Sequence, residues 1–132
     1  MTFELTMLFF VVIIFFALLM FQGALNIKFF GLKWDLGPRD TVLEPTVLQK
    51  RTGRTIANSI EGMMIFVPLV LIAHLSGLHS VLTVWGAGLY AISRIIYCGL
   101  YLGGVPVMRS FIWTIGIVGK LMIAFEIIRA IL

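Results

Sequence analysis

RTGRTIANSIEGMMIFVPLVLIAHL, residues 51–75, is the stretch that decides the fold of this chain. From about Ile56 to Leu75 it is apolar enough, and at roughly 20 residues long enough, to cross a hydrocarbon core of about 30 Å as one helix. Arg51, Arg54, Asn58 and Glu61 are spaced 3, 4 and 3, so a helix puts all four on one face. Glu61 lies about two turns inside the apolar boundary and Asn58 one turn shallower, with the arginines at the rim. An ionised group at such a depth costs several kcal/mol unless it faces protein or water. This reads as a membrane helix with one face built into a polar site between packed helices.

Three more stretches match it: about Leu5 to Ile27, about Val81 to Leu102 and about Phe111 to Leu132. Only 12% of the 132 residues are charged, against roughly 25% in soluble domains, so the chain is expected to be an integral membrane protein of one domain. The first stretch has Glu4 and no Lys or Arg before it, and no A-x-A pattern after it; it reads as a retained helix and not a signal peptide. The single cysteine, Cys98, excludes an internal disulfide and a CxxC pair. His74 and His79 lack metal-ligand spacing, so no metal is expected. The net charge of +4 is unevenly placed and lacks the basic runs with interleaved aromatics of a nucleic-acid binder.

The connections set the topology. Ser76–Ser80 and Gly103–Pro106 are short turns, which make spans two, three and four antiparallel neighbours. The segment 28–55 is the one long loop. It carries Lys28, Lys33, Arg39, Lys50, Arg51 and Arg54 against Asp35, Asp40 and Glu44. The turn before span four adds Arg109, whereas the turn between spans two and three has no Lys or Arg. The positive-inside rule then places the long loop in the cytoplasm and both termini on the far side. Pro38 and Pro45 argue against an unbroken helix through the loop.

A second polar stripe runs along span three: Tyr90, Arg94, Tyr97 and Tyr101, spaced 4, 3 and 4. Tyr90 reads as an interfacial anchor, as do Trp34 and Trp85. Arg94 is the expected ion-pair partner of Glu61, in a network that fixes helix packing. Arg51, beside Lys50, also fits a solvated basic flank. Tyr97 and Tyr101 lie near Arg109 and Ser110; with Arg51 and Arg54 they would form a basic, hydroxyl-rich pocket open to cytosol and lipid. Such a pocket suits an anionic, water-soluble ligand meeting a lipophilic one. In span four, Arg109, Trp113, Gly116 and Lys120 share a stripe (4, 3, 4). Lys120 is expected to pair with Glu61 or Glu126, the alternative being a ligand contact. Gly116 and Gly119 are expected to admit close helix packing, and Cys98 to serve packing.

Arg54-Thr-Ile-Ala-Asn58-Ser-Ile-Glu61 resembles the R-x-x-x-N-x-x-E signature of the membrane-associated proteins in eicosanoid and glutathione metabolism (MAPEG). Arg94-Ile-Ile-Tyr97-Cys-Gly-Leu-Tyr101 followed by Val105-Pro106-Val-Met-Arg109-Ser110 is similar to that family's third helix and following turn. The layout agrees over nearly the whole chain and is most similar to the small bacterial members. The resemblance implies an all-α, four-helix membrane bundle assembling as a homotrimer, with glutathione bound at each subunit interface.

Carried over by position, the resemblance makes Arg54, Asn58 and Glu61 holders of glutathione or of the network beneath it. Tyr101 becomes a glutathione contact, Arg94 the arginine of the third helix, and Arg109 with Ser110 the pair nearest the thiol. The sequence departs from the family pattern at Ala57, often arginine, and at Tyr97, often histidine. A basic contact late in helix one aligns with Asn26, with Lys28 nearby as a substitute. The activity implied is a membrane glutathione transferase or peroxidase acting on lipophilic electrophiles, in a bacterial inner membrane with periplasmic termini. The alternatives are a non-catalytic protein that binds a lipid between subunits, and an accessory subunit of a larger membrane complex.

Overall fold

The computed structural model describes residues 1–132 as five helices: α1 Phe3–Phe30, the short α2 Leu32–Leu36, α3 Val47–Leu75, α4 Val81–Gly103 and α5 Pro106–Ile131. The four long helices each have the length and hydropathy to cross a membrane. They pack as a bundle in which α4 touches α1, α3 and α5, while α1 and α5 do not touch each other. One core threads the bundle, with Val11, Phe66, Val70, Ala87, Tyr90 and Ile123 all buried.

Most of the apolar surface lies outside that core. Phe9, Phe10, Ile13 and Phe16 on α1 are exposed, as are Ile92, Ile95 and Ile96 on α4. Lipid tails are as apolar as these side chains, so helices in a bilayer gain little by hiding them and associate through close packing and internal polar bonds. Both appear here. Gly86 on α4 and Gly119 on α5 meet backbone to backbone: a Cβ on either would stand 2.6 Å from the other's carbonyl oxygen. On the α3 face turned into the bundle, the buried hydroxyls of Thr52, Thr55 and Ser59 each donate to the carbonyl four residues earlier at 2.8 Å, so none is left unpaired.

The helices extend beyond the expected spans. α3 begins at Val47, nine residues before the expected boundary at Ile56. The cause is a capping box after Pro45: the Thr46 side chain accepts from the Gln49 backbone N–H, and the Gln49 side chain accepts from that of Thr46. The expected loop 28–55 is therefore mostly helical, leaving only Gly31 and the segment 37–46 between α2 and α3 without helix. This extension carries Arg51 and Arg54 on a rigid helix instead of a loop. At the other end of the bundle, α4 starts with a second capping box, Ser80 with Thr83. Glu4, buried at the start of α1, accepts from the Thr83 hydroxyl at 2.6 Å and lies 3.5 Å from His79 Nδ1, which ties the two helix starts together.

Candidate functional site

α3, α4 and α5 enclose a stepped cleft that begins at the end of the bundle carrying the α2–α3 segment and descends toward mid-membrane. Its rim is a recess of about 170 Å³ bounded by Arg51, Arg54, Tyr101 and Arg109. Below it opens a cavity of about 450 Å³ lined by Arg54, Ala57, Asn58, Glu61, Tyr97, Tyr101, Arg109, Ser110 and Trp113. Asn58, Glu61 and Trp113 also line a deeper recess of about 320 Å³, which adds Arg94, Gly116 and Lys120. The three spaces share walls and form one cleft.

Each polar side chain reaches the cleft for a local reason. The α3 stripe turns away from α1: Thr52, Thr55 and Ser59 are buried, whereas Arg54, Ala57 and Glu61 are exposed. Glu61 stands 14 residues from either end of α3, about 21 Å along the axis at 1.5 Å per residue. A carboxylate exposed at that depth can only be accommodated if the cleft is wet or another protein surface closes over it. Pro106 opens α5 at a position where its missing N–H costs nothing, and this places Arg109 and Ser110 in the first turns, opposite Tyr101. The Arg109 guanidinium lies 4.7 Å from the Tyr101 ring centroid, and the Tyr101 and Tyr97 rings are 5.6 Å apart. The Ser110 hydroxyl donates to the Pro106 carbonyl at 3.3 Å.

Arg51 does a structural job at the rim. It donates to the Leu102 carbonyl at 3.3 Å, meeting the negative end of the α4 dipole. The turn beneath it needs Gly104, whose φ is +76° and whose Cβ, if present, would lie 2.6 Å from the Arg51 guanidinium.

Arg94 is buried, and its partner is Asn58, whose Oδ1 accepts at 3.1 Å. The guanidinium lies between the Tyr90 and Tyr97 rings, 5.2 and 4.7 Å from their centroids. The expected pair with Glu61 does not form. Asn58 lies on the α4 side of the stripe, and Glu61 one turn on points outward. Lys120 pairs with neither expected carboxylate. Glu126 is taken by Arg129 at 3.0 Å, and Lys120 Nζ sits 5.6 Å from the Tyr90 ring centroid. Tyr90 is not an interfacial anchor: it is fully buried and stacked on Phe66 with centroids 4.0 Å apart. The two glycines of α5 behave as expected, and Cys98 lines a small gap against α1.

Two sequence candidates are not brought to the cleft. Asn26 Oδ1 accepts from Gln49 Nε2 at 3.1 Å on the α1–α3 seam, and Lys28 lies over the ring of its neighbour Phe29. The reason is topological, since α1 packs on the side of the bundle away from α5. Conversely, Trp113 and Ala57 line the main cavity, and Lys120 the deep one. Trp113 and Lys120 could have been identified from their shared stripe with Arg109.

No curated protein and no solved structure matches this chain. A family model described as the MAPEG family matches residues 2–129. Its span takes in α1, α3, α4, all but the last two residues of α5 and every residue of the cleft. The chain is thus an integral, multi-pass membrane protein with a four-helix bundle, and it belongs to the MAPEG family.

Proposed function

We propose that the cleft binds glutathione and that the protein conjugates its thiol to lipophilic electrophiles, as a membrane glutathione transferase or peroxidase. The observation that carries this is the shared cavity of Arg54, Asn58, Glu61, Tyr101, Arg109 and Ser110. Its volume of about 450 Å³ falls in the range of roughly 300–1,000 Å³ typical of small-molecule sites. Glutathione has two carboxylates, one ammonium group and a thiol. Arg54, with Arg51 at the rim, suits the carboxylates, Glu61 the ammonium, and Arg109 the sulfur once it is ionised. Asn58 is held in place by Arg94, and Tyr101 by its stacking with Arg109.

In this reading the active unit is a homotrimer. Glu61 and Arg54 are exposed in a lone subunit, and a neighbouring copy set against this face would exclude lipid from them. Asn26 and Lys28 would join the site only from such a neighbour. The electrophile arrives laterally from the bilayer. The basic rim faces the cytoplasm, and both termini lie on the opposite side, in a bacterial inner membrane.

Titrating the detergent-solubilised protein with glutathione by calorimetry tests the site. Saturable binding is expected, weakened about tenfold or more in Arg54→Ala, since a charge-assisted hydrogen bond is worth about 1.5–3 kcal/mol. Millimolar glutathione that neither releases heat nor raises the melting temperature would sink the proposal and leave a lipid-binding or structural role. Orientation has its own check. Cysteines placed at Asp40 and at His79 should react with an impermeant label from opposite sides of the membrane, and labelling of both from one side would reverse the assignment.

A further inference from the structure

α2 and the turn after it form a small folded unit at the end of α1. Gly31, at φ +88°, ends α1 and lets the chain turn into α2, which touches no helix other than α1. Internal bonds hold the unit. Trp34 Nε1 donates to the Thr41 carbonyl at 2.8 Å, and the Trp34 and Phe30 rings meet edge-on with centroids 4.6 Å apart. Arg39 donates to the Asp35 carbonyl at 3.0 and 2.9 Å and to the Asp35 carboxylate at 2.9 Å. Its guanidinium lies 5.5 Å from the Trp34 ring centroid. These bonds keep Arg39 at φ +60°, a backbone region that few non-glycine residues adopt. Strain held in this way is common at ligand sites.

The unit encloses a recess of about 440 Å³, where Phe30, Trp34 and Thr41 stand beside Lys33, Arg39 and Asp40. Lys33 and Asp40 are exposed, and neither takes part in an ion pair. The Arg39 bonds to Asp35 use Nε and Nη2, which leaves Nη1 unengaged. The recess thus offers two cationic donors and one carboxylate. Its depth is set by α1. That helix has 28 residues, about 42 Å at 1.5 Å per residue, which matches the roughly 40–45 Å of a bilayer with its headgroups. Phe30, its last residue, therefore stands at headgroup depth. Leu32 and Leu36, one turn apart on α2, are exposed there, as suits a helix resting on the acyl boundary.

We infer that this recess binds the headgroup of a membrane phospholipid that carries both a phosphate and a primary ammonium, the chemistry of phosphatidylethanolamine. Lys33 and Arg39 donate to the phosphate, and the ammonium donates to the Asp40 carboxylate. The acyl chains descend past Leu32 and Leu36. A quaternary ammonium has no N–H to give Asp40, and a glycerol headgroup sets no cation against it. The recess therefore ranks ethanolamine above choline and glycerol headgroups. It shares no residue with the cleft, so the inference stands whether or not glutathione binds there.

Trp34 lines the recess, and in a Trp85→Phe, Trp113→Phe background it is the sole tryptophan. The protein in a non-ionic detergent, without glutathione, is titrated with phospholipids brominated on the upper part of their chains, and Trp34 quenching is followed. Brominated diacylglycerol, which has no phosphate, gives the level of unspecific contact. Phosphatidylethanolamine should bind about two- to fivefold more tightly than phosphatidylcholine or phosphatidylglycerol, the scale of a partly exposed ion pair. All three should bind more tightly than diacylglycerol. Asp40→Asn should bring phosphatidylethanolamine down to phosphatidylcholine. Lys33→Met should lower all three toward the diacylglycerol level, and Lys33→Arg should retain them. Both side chains are exposed and unpaired, so the variants should melt with the parent, which keeps a loss of binding interpretable. Equal or tighter binding of either other phospholipid by the parent, or an ethanolamine preference that survives Asp40→Asn, would overturn the inference. So would quenching by diacylglycerol as strong as by the phospholipids. Displacement of the lipid by millimolar phosphoethanolamine would overturn it as well, because the site would then belong to a soluble ligand.

Discussion

If the cleft binds glutathione as proposed, Arg109→Ala should move the pH dependence of thiol conjugation upward by about one to two pH units while leaving glutathione affinity within a few fold. A cysteinyl thiol ionises near pH 8.5, and only the thiolate is a good nucleophile. In conjugation with an aryl halide the thiolate sulfur bonds to the ring carbon, the carbon–halogen bond breaks, and halide leaves. On the proposed reading, the protein's task is to keep the sulfur ionised at neutral pH. One charge-assisted hydrogen bond contributes about 1.5–3 kcal/mol, and each pKa unit corresponds to about 1.36 kcal/mol. Arg109 alone can therefore account for a shift of that size.

In that reading Ser110 is the weaker contributor, because its hydroxyl proton is directed to the Pro106 carbonyl and would have to leave that bond to serve the sulfur. Ser110→Ala should shift the profile by well under one unit. Arg109→Lys should recover part of the effect, retaining charge but losing the planar stacking on Tyr101. The sign is that of a stabilised anion: removing the cation raises the thiol's pKa, so the rate at neutral pH falls and returns as the pH rises. A variant whose rate falls equally at every pH would place Arg109 outside the reacting centre.

The largest effect on folding is expected at the crossing of α4 and α5. Gly86→Ala and Gly119→Ala should each lower the melting temperature in detergent by about 5 °C or more. The added Cβ at either position meets a carbonyl oxygen at 2.6 Å, and at Gly86 also the Ile123 side chain at 2.8 Å. A backbone oxygen cannot rotate away, so the helices must part, and overpacking of this kind costs about 1–3 kcal/mol. The site should fail with the fold, because Arg109 and Ser110 ride on α5 and Tyr97 and Tyr101 on α4. Gly99 provides the control, since a Cβ there meets nothing within 4 Å. Gly99→Ala should melt with or slightly above the parent, as alanine is the better helix former. A Gly119→Ala protein as stable as the Gly99→Ala protein would mean that the two helices do not cross at these glycines.

Helical periodicity is a property of the chain alone, and it was sufficient for the spans, for the two stripes and for the stripe of α5. A 3, 4, 3 spacing puts Arg54, Asn58 and Glu61 on one face whatever packs against it. The same holds for Tyr97 with Tyr101 and for Arg109 with Trp113 and Lys120. Those three faces are the ones that meet at the cleft. The capping box that starts α3 at Val47 is also present in the sequence, as Thr46-x-x-Gln49 after Pro45, nine residues before the hydropathy rises at Ile56. Hydropathy reports where a helix becomes apolar, and hydrogen bonding decides where it begins.

Periodicity does not say how each helix is rotated about its own axis relative to its neighbours, and that rotation chose the pairings. Asn58 and Glu61 share a stripe, yet only Asn58 is turned far enough toward α4 to accept from Arg94. The nearest charge in composition was therefore not the partner in space. Tyr90 looked like an interfacial residue by type, and the rotation of α4 buried it against Phe66. Asn26 and Lys28 went to the far side because α1 packs on α3 and α4 and never reaches α5. Spacing and hydropathy act along one chain, and they suffice for a four-helix membrane bundle with its polar groups gathered on particular faces. Which of those groups meet, and that Lys120 forms no ion pair, follows from the packing of the helices, because contacts between them depend on their mutual rotation and on crossings set by bare glycine backbone.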